Sequence, residues 1–185
     1  MSLVAAGRAA IIVGSGADSS YLVLEASAWS ASPLVYEWRY DYDSLNPPDG
    51  YDILSAVIAF DSNLTGVFNN YGTPEDPSYF LASLSYDGVN LVNAAAPPWT
   101  PYWSQWVSGG EAGYPVASPL ADGTWAFGSG LSDPYRLLAP GSWDGFVFGD
   151  GLTAPSISPI PEPSAIYFLG GAVVLLYFRR RFLQC

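Results

Sequence analysis

The chain has 185 residues and a formal net charge of −11, with 17 acidic residues against six arginines, no lysine, no histidine and one cysteine, Cys185. Without histidine, and with its only thiol at the terminus, it lacks the ligand set of zinc and copper sites and the Ser-His, Cys-His or lysine machinery of covalent catalysis. Charge this negative also argues against nucleic acid and anionic membrane surfaces as partners, since both need cationic contacts.

In chain order, Met1–Ser20 is the expected export leader. Arg8 stands as its basic region and Ala9–Gly14 as a short apolar stretch. That makes either a weak leader or the remainder of one whose start has been misassigned. Ala10-Ile11-Ile12-Val13-Gly14-Ser15-Gly16 also reads as the opening strand and glycine turn of a dinucleotide fold. Ser19, however, occupies the place of the third glycine, and Tyr21–Leu24 reads as a strand where a helix should run, so that reading is set aside.

The body then reads as short apolar and aromatic runs separated by turn residues. Tyr21–Ala28 and Leu34–Tyr40 alternate as strands do, and Asp41–Gly50 is a polar turn region. Asp52–Phe60 fits either a buried strand or a two-turn helix with Asp49 or Asp52 at its N-terminus and Leu54, Val57 and Ile58 on one face. Val67–Tyr71, Tyr79–Ser85 and Val89–Val92 read as strands, the last two joined by a hairpin at Asp87-Gly88. Trp99–Val107 and Trp125–Phe127 read as aromatic strands, and Gly141–Gly149 as a closing one. Leu152–Pro163 is Pro/Ser-rich, the composition of a semi-extended stalk.

Three groups of residues invite a chemical reading. Asp41, Asp43, Asp49 and Asp52 could supply oxygen ligands for calcium, or serve only as turn and capping residues. The EF-hand spacing is absent, because Leu45 and Asn46 stand where a ligand and the turn glycine belong. Trp99, Tyr102, Trp103 and Trp106 crowd one segment; a continuous strand would put Trp99 and Trp103 on one face and Trp106 on the other. Trp99, Tyr102 and Trp103 could stack on a sugar ring, or the indoles could build the core. Asp41, Asp43, Glu75, Asp76 and Asp144 are acids of the kind a carboxylate-pair glycosidase needs, but no spacing singles out a pair. No enzymatic activity is expected, and no cofactor beyond calcium.

The C-terminus carries the most specific pattern. Pro161-Glu162-Pro163 precedes an uncharged apolar run, Ser164–Phe178, and then Arg179, Arg180 and Arg181. As a helix the run is about 22 Å long, short of the roughly 30 Å hydrocarbon core. Snorkelling arginines, Tyr167, Tyr177 and local thinning can absorb the mismatch. The basic triplet favours the cytoplasmic side, which leaves the body outside. A buried core helix is the alternative, but such a helix should carry polar residues at every turn.

Residues 159–181 resemble the PEP-CTERM sorting signal of Gram-negative bacteria, with the acidic tripeptide, apolar helix and basic stop in the same order. The resemblance implies export, transient anchoring in the inner membrane, processing near Pro-Glu-Pro by an exosortase-like enzyme, and delivery to the cell surface or exopolysaccharide matrix. More loosely, residues 21–149 are similar to transcobalamin-like C-terminal domains, which are small β-grasp-like modules. The similarity lies in a strand, then Tyr51–Val57, a strand pair, Tyr102–Trp106 and a closing strand with Gly141, Asp144 and Phe146.

The expected fold is therefore α+β and β-rich, a β-grasp-like domain with one short helix and a C-terminal transmembrane helix; the alternative is an all-β sandwich. The expected divisions are a leader (1–20), a body (21–151), a stalk (152–163) and an anchor with basic tail (164–185). The expected role is that of an exported surface or matrix protein with a structural or adhesive body. The alternative is a module binding polysaccharide or a small stacking ligand.

Overall fold

The computed structural model describes residues 9–74 and 77–159, so Pro161–Pro163, the apolar run and Arg179–Arg181 lie outside the described residues. The elements are β1 (Ile11–Gly14), β2 (Asp18–Glu25), β3 (Leu34–Tyr40), α1 (Gly50–Phe60), β4 (Leu64–Asn70), β5 (Tyr79–Tyr86), β6 (Val89–Val92), β7 (Tyr102–Ser108), β8 (Glu111–Ala112), β9 (Ser118–Pro119), β10 (Ala126–Phe127), β11 (Arg136–Leu137) and β12 (Trp143–Gly149). The body is β-rich with one helix.

A six-stranded sheet in the order β1-β3-β2-β12-β7-β10 organises the body, flanked by the three-stranded sheets β4-β5-β6 and β11-β8-β9. Its centre pairs β2 with β12 in parallel, while β3 and β7 run antiparallel to them on either side. Alternation sorts the side chains onto two faces. Leu22 and Leu24 pair with Tyr36 and Leu34 on one face, and Val23 pairs with Val35 on the other.

The first face carries the main core. Leu22, Leu24, Tyr36 and Phe146 pack against Ile53, Leu54 and Val57 of α1 and against Leu64 and Leu84 of the β4-β5-β6 sheet. Eleven residues of helix are marginal alone, so this apolar stripe and the cap hold α1 in place. Asp49 accepts hydrogen bonds from the backbone N–H of Tyr51 and Asp52, and Asp52 accepts one from the Asp49 N–H, which closes a capping box. The ambiguity over Asp52–Phe60 is thus decided for a helix. The Asp87-Gly88 turn has φ of 50° and 79°, the two positive values a two-residue type I′ hairpin demands.

Two segments outside the expected body pack against it. Ile11–Gly14, assigned to a leader, forms an edge strand parallel to β3, and β2 already begins at Asp18. The segment read as a semi-extended stalk packs against the opposite face of the sheet as far as residue 159. There the Trp125 indole N–H donates to the Ile157 carbonyl at 2.8 Å, and the Ser156 N–H and hydroxyl both reach the Glu25 carboxylate. Val23, Val35 and Trp143 are buried beneath this strap, with Tyr21, Trp125 and Ile157 packed around them. Gly145 permits the close approach, since a Cβ there would stand 2.5 Å from Pro155 Cγ. Among the described residues no helix is long and apolar enough to cross a membrane.

Candidate functional site

A cleft of about 410 Å³ opens between the main sheet and the β4-β5-β6 sheet. Trp103, Leu131 and Phe146 line its buried side, while Asn69, Tyr71 and Phe127 are exposed at its margin. The loop of Gly128, Ser129 and Gly130 after β10 supplies one wall. None of the lining residues carries a charge, although the chain as a whole is strongly acidic.

The wall is tied to a buried polar network. Gln105 accepts from the Gly130 N–H through its side-chain carbonyl at 3.1 Å, and its backbone carbonyl accepts from the Gly128 N–H at 2.8 Å. The Gln105 amide then donates to Asp144 Oδ1 at 3.3 Å. Asp144 Oδ2 receives Nε and Nη2 of Arg136. The remaining Arg136 donors reach the carbonyls of Gly109, Glu111, Leu137 and Trp143. A buried guanidinium is tolerable only with such a full set of acceptors. The network leaves neither the acid nor the base free for chemistry, and it positions the loop that carries Ser129 and follows Phe127.

The sequence candidates separate in space. Trp103 is only 5% exposed, sits in the main core and donates its indole N–H to the Leu91 carbonyl at 3.0 Å. Trp99 lies outside β7, at φ 62° and 57% exposed. The expected shared face of Trp99 and Trp103 is therefore corrected: β7 starts only at Tyr102, and the proline-rich turn before it breaks the alternation. Trp106 does lie on the face opposite Trp103, edge-on to Phe127 with centroids 5.3 Å apart. Tyr102 and Trp103 both line the cleft.

Asp41, Asp43, Asp49 and Asp52 each accept backbone hydrogen bonds. Asp41 accepts from the Ala17 N–H. Asp43 accepts from the Leu45 N–H and the Asn46 amide, and the Leu45 bond leads in holding its carboxyl below the usual range. Asp49 and Asp52 cap α1, and Asp49 also accepts from the Asp133 N–H. Among the described residues no group of three or more acids converges.

No protein-family model matches the chain, and no curated protein or solved structure is significantly similar to it.

Sequence reasoning passed over Asn69, Tyr71, Phe80 and Phe127, which line the cleft from three different strands or their ends. No motif joins them. The one available signal was Arg136, one of only two cations, with Arg39, in a body of acids, and the one with no acid within two residues of it along the chain.

Proposed function

We propose that the chain is an exported cell-surface or matrix protein with a non-enzymatic, structural or adhesive body, sorted and processed through its C-terminal signal. The observation that carries this reading is the order Pro161-Glu162-Pro163, uncharged run, Arg179-Arg180-Arg181 at the end of a chain otherwise poor in basic residues. An exosortase-like enzyme is the expected processing partner, and the inner membrane a transient anchor. The docked strap is consistent with this arrangement, because it carries the chain across the outer face of the sheet to within a few residues of Pro161.

The body reads as β-grasp-like. Its central order β3-β2-β12-β7, with first and last strands parallel and α1 following the opening hairpin, supports that finer description. The uncharged cleft favours a second reading, in which adhesion means binding a ligand rather than scaffolding alone.

Fractionation of the native host, with the mass of the mature chain, tests the sorting reading. A surface or secreted product lacking Ser164–Cys185 supports it. A full-length chain retained in the cytoplasm refutes it.

A further inference from the structure

A second cleft of about 490 Å³ adjoins the first, and both are lined by Tyr71 and Phe80. From there an aromatic series crosses the second cleft. Tyr71 meets Phe80 edge-on at 5.5 Å, Phe80 meets Tyr135 at 5.8 Å, and Tyr135 stacks on Tyr114 at 5.0 Å within 7° of parallel. Tyr71, Tyr114 and Phe127 are 72%, 68% and 57% exposed, a heavy outlay of aromatic surface for a small domain. Asp133 is the only charged group lining either cleft among the described residues.

From this we infer that the two clefts form one extended site for a neutral polysaccharide chain, with Tyr71 as the ridge between two sugar-binding lobes. The inference rests on the ligand-binding reading of the body and names its ligand class. A sugar ring offers an apolar face to stack on an aromatic and equatorial hydroxyls that both donate and accept. The rim supplies the matching groups. The Tyr71 hydroxyl accepts from the Asn69 amide at 3.3 Å and keeps its own proton to donate. Asn69 and Ser129, both exposed, line the same cleft and add an amide and a hydroxyl. An acidic glycan would meet a chain of net charge −11 with no cation in the lining. A proline-rich peptide also docks in aromatic-lined grooves, and it is the competing occupant that the decapeptide probe below separates from a glycan.

The test uses the full-length chain in a detergent without a sugar headgroup, read by calorimetry and tryptophan fluorescence. Probes are di- and hexasaccharides of neutral glucan, mannan, galactan and xylan, with a galacturonate hexamer and a proline decapeptide for comparison. At least one neutral hexasaccharide should bind about tenfold more tightly than its disaccharide. Phe127→Ala in the first lobe and Tyr114→Ala in the second should each reduce the hexasaccharide to the disaccharide's affinity, with unchanged melting curves. Tyr71→Ala should weaken it at least as much. If Phe127→Ala alone weakens binding and length has no effect, the site is a single pocket; the two-lobed inference falls while the ligand-binding reading stands. Silence across all the neutral glycans removes both. Preference for the galacturonate or the decapeptide overturns the assignment of ligand class.

Discussion

Asp144 Oδ2 lies 2.8 Å from Arg136 Nη2, and neither side chain exposes any surface. The pair joins β12 to β11, and through Gln105 it fixes the loop that walls the cleft. A buried pair need not stabilise relative to an apolar core, but breaking one half strands the other.

Asp144→Asn or Arg136→Met alone should therefore cost about 3–5 kcal/mol in urea denaturation. The double variant Arg136→Met, Asp144→Leu should recover much of that loss, because no charge is left behind. A double variant no better than either single one would show that the Arg136 bonds to backbone carbonyls, rather than the ion pair, hold this region.

Burial and then the neighbouring Asp52 carboxylate push Asp49 up to about 6 from its ordinary 3.8, against the pull of three backbone N–H groups. The folded protein thus holds this proton more tightly than the unfolded chain, and the penalty falls on the ionised form. The contribution of Asp49 to stability should rise as pH drops from above 6 toward 4 and level off below. Asp49→Asn keeps a capping acceptor without the charge, so its advantage over the parent should grow from pH 4 to pH 7. Asp49→Ala loses the cap and should sit about 1 kcal/mol below the Asn variant. Thermal melts across that range would show it; a parent-minus-Asn difference that does not vary with pH would contradict the raised value.

Gly145→Val would drive a side chain into Pro155. The expected result is a loss of about 1–3 kcal/mol, as for overpacked cores, together with release of the strap. Limited proteolysis should then cut between residues 152 and 159 faster than in the parent. Equal cutting rates would mean that the strap adjusts without undocking.

The two indoles four positions apart should behave oppositely. Trp103→Ala removes a core side chain and should cost about 3–5 kcal/mol. Trp99→Gly removes an exposed one from a left-handed backbone position and should leave stability unchanged or raise it by up to about 1 kcal/mol. A large loss at Trp99 would place that ring in a contact the surface location does not suggest.

Much of the local structure was legible along the chain. Leu34–Tyr40 and Val89–Val92 form the expected strands to the residue, because alternation and turn chemistry act over a few neighbours. Asp87-Gly88 announced its hairpin in the same way. Ile11–Gly14 forms a strand that the sequence did not announce, because a short apolar run looks alike in an export segment and in an edge strand. Only β3, more than twenty residues on, distinguishes them.

By itself, the sequence determined which chemistries are closed to this protein, through the absence of histidine and lysine, and where most strands and turns fall. Tertiary structure alone decided which aromatic is core and which is surface, and which of sixteen acids before residue 160 is buried against an arginine. It also decided that the strap is docked and that the cleft exists. Strand and turn formation is governed by nearest neighbours. Burial, ion pairing and cleft shape are set by which distant strands pair and in what register, so no single stretch of this chain contains them.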